Sequence, residues 1–286
     1  MTQKMLGKDI VEKITEEIKK DLVILKKEAL TPSLAIVRLG EDAGSIAYEK
    51  SLKKQFLRLS LNVKTYSFSK EIDEDEFLEK FEEINQNNDI HGILVLRPLP
   101  AHIDTYKVAQ KINPYKDVDG MSPTNLGKIM LNDKEGLISA TPAAVMRLLE
   151  FYDVDLEGKD VVIIGHSEVV GKPLSILLLN KNATVTVTHI HSKNTKEMAK
   201  KADILITATG VAGLVTEEYV KTEAVVIDVG ISKVNHKIAG DVDYKGIAKK
   251  VSKITPVPGG VGAVTTVMLA SHLIKATKLL LKKNQI

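Results

Sequence analysis

Strand-like apolar runs and helix-period segments alternate along this chain in two separate blocks, a pattern that restricts it to parallel sheets joined by right-handed crossovers. In the first block the extended runs cover residues 34–39, 62–68 and 92–99. A helix over about 9–27 has apolar residues at Ile10, Ile14, Ile18, Leu22 and Leu25, with Asp9 and Glu12 as a capping box. A second helix starts near Ser45. A third opens on the acidic turn Asp73 to Glu76 and puts Phe77, Phe81 and Ile84 on one face. Dense punctuation over 113–123 marks an irregular segment, and a linker helix follows from Thr141-Pro142 to Phe151. The second block has strands at 161–165, 183–188, 204–208 and 225–229. The loop 255–262 then leads to a closing helix over about 264–281. Two α/β lobes are expected, with a ligand cleft between them and the closing helix returning to the first lobe.

At 286 residues the chain has room for two such lobes. Its net charge of +3, its 4% aromatic content and its lack of Trp argue against a nucleic-acid surface. With no Cys, thiolate metal sites, disulfides and cysteine nucleophiles are excluded. The first residues lack an apolar signal core, and the run 174–179 is short for a bilayer. The expectation is a cytoplasmic protein without a membrane partner.

A buried strand runs into Gly165-His166-Ser167-Glu168-Val169-Val170-Gly171-Lys172-Pro173. Strand, glycine loop and a helix opened by Pro can aim backbone N–H groups at a pyrophosphate. Ser167 and Val170 stand where the G-x-G-x-x-G fingerprint has glycines, and alone the string also fits a ligand-free corner. The next strand ends in Thr188-His-Ile-His-Ser-Lys193, without the acidic residue that accepts the ribose hydroxyls of NAD. His166, Ser192 and Lys193 suit a ribose phosphate, so NADP is favoured. His189 and His191 share a strand face but lack a third ligand, so no metal site is expected. Ala208-Thr-Gly210 and Asp228-Val-Gly230-Ile231 follow later strands, where ligands lie in open α/β sheets.

Six ordered motifs then bear on function: Gly92-Ile-Leu-Val-x-x-Pro-Leu-Pro100, Lys116-Asp-Val-Asp-Gly120, Gly165-x-Ser-x-x-Val-Gly-Lys-Pro173, Ile227-Asp-Val-Gly-Ile231, Gly240-Asp-Val-Asp243 and Thr255-Pro-Val-Pro-Gly-Gly-Val-Gly262. Together they resemble the methylenetetrahydrofolate dehydrogenase/methenyltetrahydrofolate cyclohydrolase family over nearly the whole chain. The resemblance implies a cytosolic homodimer of one-carbon metabolism, serving purine biosynthesis. Its folate lobe would cover 1–139 with about 263–286, and its Rossmann-like NADP lobe 140–262. It implies oxidation of methylenetetrahydrofolate to the methenyl form, then hydrolysis to formyltetrahydrofolate. By carry-over, Tyr48 and Asp119 are the catalytic and folate-binding residues, with Pro258, Gly259 and Gly260 edging the substrate. Gly165, His166, Ser167, Gly171, Ser192 and Ile231 are the cofactor contacts.

Two positions depart from the family pattern. Leu52 stands where the family has Lys, four residues after Tyr48, and Leu96 stands where it has Gln. At about 100° per residue Lys53 lies off the Tyr48 face, and one step along a strand reverses Arg97. Ala263-Val264 likewise replaces the family's Pro-Met after the glycine loop. Hydride transfer depends on positioning, whereas ring opening by water needs proton movement that a lysine assists roughly 10²–10⁴-fold. The expectation is therefore a dehydrogenase with weak or absent cyclohydrolase activity. The alternatives are a fully bifunctional enzyme, a non-catalytic folate or nucleotide binder, and an oxidoreductase for another small substrate.

Overall fold

The computed structural model describes residues 2–235 and 237–284. In chain order the strands are β1 (Gln3–Lys4), β2 (Ser33–Leu39), β3 (Asn62–Phe68), β4 (Gly92–Val95), β5 (Asp160–Ile164) and β6 (Thr184–Thr188). They continue with β7 (Ile204–Thr207), β8 (Val225–Asp228), β9 (Ser232–Val234), β10 (Lys237–Ala239) and β11 (Lys253–Ile254). The helices are α1 (Gly7–Lys27), α2 (Ala43–Arg58), α3 (Glu74–Gln86), α4 (Thr105–Lys111) and α5 (Pro123–Met130). After them come α6 (Ala140–Phe151), α7 (Gly171–Leu179), α8 (Thr195–Ala199), α9 (Tyr244–Ile247) and α10 (Val261–Asn284). The chain divides into two compact units, Ile14–Ala140 with Thr266–Ile286, and Met1–Lys13 with Thr141–Thr265.

The first of these units is built on a parallel sheet of order β3-β2-β4. Successive residues of β2 face opposite sides, and all of Leu34, Ala35, Ile36 and Val37 are buried, so both faces are covered. Ala35 and Val37 join Phe77, Phe81 and Ile84 of α3 in one cluster with Ile93, Val95 and Val108. Asp73 caps α3 by accepting from the backbone N–H groups of Asp75 and Glu76. On the opposite face Gly92 leaves room for the Leu34 and Leu273 side chains. The lysines of α10, whose sequence suggests a solvated face, lie mostly in solvent: Lys278 and Lys282 are exposed and pair with Asp21 and Glu135, while the half-buried Lys275 donates to the Gly136 carbonyl.

The other unit holds a parallel sheet of order β1-β11-β8-β7-β5-β6. Strand order reverses at β5, whose neighbours are β6 on one side and β7 on the other. In open α/β sheets this reversal creates a crevice at the carboxyl ends of the strands. Val162, Ile164, Leu205, Val226 and Ile254 form its core with Ala199, Val215 and Ile247. By packing, residues 1–13 group with this unit. Gln3 and Lys4 pair with Lys253 and Ile254, and Met5 is wholly buried. Asp9 is not the cap of α1, which begins at Gly7; its carboxylate accepts from the Tyr152 hydroxyl at 3.0 Å. By length and composition the stretch Val261–Lys283 of α10 is apolar enough to cross a bilayer, but 56% of that window is buried within the fold, as in a core helix.

Candidate functional site

Within the unit Ile14–Ala140, the loop after β4 and the loop 117–120 converge on one carboxylate. Asp117 is fully buried and accepts from the backbone N–H groups of Met121 and Ser122 and from Asn125 Nδ2, which pins the loop to the start of α5. His272 of α10 secures the same loop, with Nδ1 3.0 Å from the Val118 carbonyl oxygen. Burial lowers the His272 pKa to about 4, so the ring is neutral at physiological pH. Because a carbonyl only accepts, its proton sits on Nδ1.

Asp119 Oδ1 accepts from Ser139 Oγ at 3.2 Å and from the Ala140 N–H at 3.1 Å. Its Oδ2 faces Arg97 Nη2 at 2.9 Å. Burial raises the Asp119 pKa, while Arg97 and the N–H donor of Ala140 pull it down. Tyr48 of α2 stands in electrostatic contact with Asp119. Burial first, and that charge second, push its phenol up to about 12, so it remains a neutral hydrogen-bond donor. The structure thus brings Tyr48 and Asp119 together and adds Arg97, which the sequence reading turned away.

Leu52 is 0% exposed, on the buried stripe of α2 that includes Glu49 and Phe56. Lys53 pairs with Glu49 at 2.6 Å, as the angular offset from Tyr48 predicts. Glu49 also accepts from Arg38 Nε at 3.0 Å and Thr65 Oγ1 at 2.7 Å. Burial would raise its pKa; the donors Lys53, Thr65 and Arg38 outweigh it and hold the carboxyl below its usual range. Leu96 is likewise buried. A cavity of about 670 Å³ in this unit is lined by Asn85, His91, Lys116 and Thr277, among others, and by none of Tyr48, Arg97 or Asp119.

In the unit Thr141–Thr265, β5 is followed by Gly165, whose φ of +119° is open to glycine. A Cβ there would meet the Ala208 carbonyl oxygen at 2.4 Å, so the loops after β5 and β7 press together. A Cβ on Gly171 would lie 2.0 Å from the Gly165 carbonyl oxygen. Ser167 Oγ accepts from the Val170 N–H at 3.1 Å, which folds the loop onto the start of α7. No side chain caps α7, and its N-terminal dipole is open to an anion.

The imidazoles of His166 and His189 stack at 4.5 Å, and His191 stands edge-on to His189 at 6.0 Å. Ser192 closes the turn by accepting from the His189 N–H at 2.9 Å and donating its own N–H to the His189 carbonyl. This set of imidazoles and a hydroxyl, followed by Lys193, fits a phosphorylated ribose and, through the uncapped helix, a pyrophosphate. Among the described residues no group of three or more His, Asp or Glu is placed to hold a metal.

Ile231 is exposed beyond β8, and the turn before it rests on two buried carboxylates that the motif alone did not explain. Asp228 accepts from the N–H groups of Gly230, Asp241 and Val242, and burial raises its pKa to about 6. Asp241 Oδ2 accepts from Thr207 Oγ1 and the Thr209 N–H at 2.8 and 2.6 Å. Pro258 and Gly259 are exposed, Gly260 is buried, and the Gly259 carbonyl accepts from the Gly7 N–H at 2.8 Å.

Residues 5–119 match the catalytic domain, and residues 139–281 the NAD(P)-binding domain, of the tetrahydrofolate dehydrogenase/cyclohydrolase family. A bifunctional FolD protein of Fusobacterium nucleatum is 45% identical over 275 residues, covering 96% of this chain and 97% of its own. The crystal structure of the bifunctional FolD enzyme from Campylobacter jejuni is 39% identical and superimposes with a TM-score of 0.95 over 98% of this chain and 100% of its own. The Trypanosoma brucei methylenetetrahydrofolate dehydrogenase-cyclohydrolase, solved with NADP and an inhibitor, is 29% identical, with a TM-score of 0.93 over 98% and 99%.

Proposed function

The chain belongs to the tetrahydrofolate dehydrogenase/cyclohydrolase family, and on that premise we propose that it oxidises methylenetetrahydrofolate to the methenyl form with NADP and leaves hydrolysis of the product at its spontaneous rate. The observation that carries this reading is Leu52, sealed in the core where the family's lysine would stand on the Tyr48 face.

NADP, which the loop 165–171 with His166 and Ser192 would hold, would supply the acceptor for a hydride expelled from the methylene carbon by a folate nitrogen lone pair. No proton leaves the reacting carbon, so the residues need only bind and orient. Asp119 and Tyr48 supply an acceptor and a donor for the folate ring. Gly165, Ser167 and Gly171 form the backbone cradle for the pyrophosphate, with His166 and Ser192 for the ribose phosphate. Ile231, Pro258, Gly259 and Gly260 edge the reacting rings.

Hydrolysis makes a further demand. Water adding to the methenyl carbon must lose a proton, and the departing nitrogen must gain one, so a group that exchanges protons near neutrality is required. Leu52 and Leu96 carry no such proton, Lys53 is held by Glu49, the Arg97 guanidinium does not give its proton up, and Asp119 is committed to Arg97, Ser139 and the Ala140 N–H.

A paired assay on one preparation tests the proposal. NADPH is expected to form with methylenetetrahydrofolate, while methenyltetrahydrofolate decays no faster with the protein than without it. Decay accelerated roughly a hundredfold or more, the scale of positioned acid–base catalysis, would mean a fully bifunctional enzyme. We extend to this chain the homodimer that the family resemblance implies, which light scattering tests directly.

A further inference from the structure

Asp119 has four lone-pair positions on its two oxygens. Two on Oδ1 are taken by Ser139 Oγ and the Ala140 N–H, and one on Oδ2 by Arg97. A single acceptor position remains, on the oxygen that Arg97 already holds. The side chains of Arg97 and Asp119 are 26% and 19% exposed, so the ion pair is partly shielded and still within reach of a ligand. Around it stand Tyr48 from α2, Asp117 from the same loop, and Ser139 with Ala140 at the start of α6. Arg97 is the cation among these groups.

We propose that Arg97 is a positioning residue of the substrate site: it turns and neutralises Asp119 so that one oxygen, with one open lone pair, meets a single N–H donor of the folate ring. The inference rests on the folate reading above and goes beyond it. Arg97 supplies a positive charge to a site whose helix α2 offers Leu52 in place of a cation, yet a guanidinium cannot exchange protons with substrate or water. Its contribution therefore falls on binding rather than on the chemical step. The geometry also gives the pH dependence a direction. Asp117 and burial both favour the protonated form of Asp119, and Arg97 opposes them. Without Arg97, a larger fraction of Asp119 is protonated at the acid end and, as an acid rather than an anion, is a weaker acceptor for the ligand's N–H.

The test uses the full chain with Arg97→Met, which keeps the stem without charge or donors, and Arg97→Lys. Binding of 5-formyltetrahydrofolate, a non-reacting folate, is measured by calorimetry at pH 6 and pH 8.5, beside steady-state kinetics with methylenetetrahydrofolate. The expected result is binding weakened roughly tenfold at pH 6 in Arg97→Met and less at pH 8.5. KM should rise while kcat stays within about threefold, with partial recovery in Arg97→Lys. Equal weakening at both pH values, a fall in kcat at unchanged KM, or tighter binding in Arg97→Met overturns the proposal; the last would make Arg97 a plug. If the parent protein binds no folate, the folate reading fails by itself. The Arg97 arm is then read from the carboxyl carbon of Asp119 by NMR: its titration moves to higher pH in Arg97→Met if the proposal holds, and stays in place if not.

Discussion

A methyl group at position 171 would sit 2.0 Å from the Gly165 carbonyl oxygen, with backbone on both sides and no flexible side chain to give way. Gly171→Ala is therefore expected to cost at least about 1–3 kcal/mol of stability in the nucleotide unit, the scale of an overpacked interior. NADP binding should weaken with it, and thermal unfolding with and without NADP reads both. At position 52 the outcome is set by burial. An ammonium placed there has no carboxylate waiting for it, since Glu49 is already shared by Arg38, Lys53 and Thr65. Leu52→Lys should destabilise the protein by about 3–5 kcal/mol in urea titrations, as for an uncompensated buried charge, and leave methenyl hydrolysis at background. Fast hydrolysis by a stable Leu52→Lys protein would overturn that reading. Tyr48, Asp119 and the glycines of the cradle were legible as motif positions. Arg97 was not, because the sequence suggested a strand running to residue 99, along which neighbours alternate. The strand stops at Val95, the alternation rule lapses, and Arg97 swings to Asp119.

Among the elements, the end of β6 and the closing helix make the clearest demands. The β6 end offers imidazoles, a hydroxyl and a lysine where NAD-binding lobes offer a carboxylate. Ser192→Glu places like charge against a ribose phosphate, so KM for NADP should rise at least about tenfold while KM for NAD changes little. On α10, the neutral His272 couples the fold to pH. Its folded pKa of about 4 lies below the ordinary 6.5, so its contribution is complete above pH 6.5 and lost as pH falls toward 4, because the unfolded chain takes up the proton first. That window is worth about 3 kcal/mol. His272→Asn keeps a donor for the Val118 carbonyl without the titration; relative to the parent it should gain about that amount between pH 7 and pH 4 in denaturant midpoints. Asp228 pulls the other way: its pKa is raised to about 6, so its ionisation costs stability as pH rises through that value. Helix and strand types were readable from periodicity for the longer elements, while the short β1, β9, β10, β11, α4, α5, α8 and α9 span too few residues to show a period. On α10 the solvated face expected for its lysines holds at Lys278, Lys282 and Lys283, while Lys275 is drawn in to the Gly136 carbonyl because charge along a helix does not disclose which loops lie beside it.

At the scale of the whole molecule, the chain passes between its two units after Lys13, after Ala140 and after Thr265. The second boundary meets a feature a sequence displays, the start of the linker helix, and the third lies within α10, just past the glycine loop. The first meets no such feature, because a strand of only Gln3 and Lys4 is too short to show alternation and its partner lies at Lys253 and Ile254. Removing residues 1–6 should leave the edge of β11 unpaired and empty the site filled by Met5. The segment 141–265 is then expected to unfold at lower denaturant, and to broaden in NMR spectra, by comparison with the full chain. There is a consequence for biosynthesis. The opening strand leaves the ribosome some 250 residues before its pairing partner is translated, and the other unit awaits the carboxyl-terminal helix. Each unit therefore keeps an unfinished edge, open to chaperones and proteases, for as long as those later segments are untranslated.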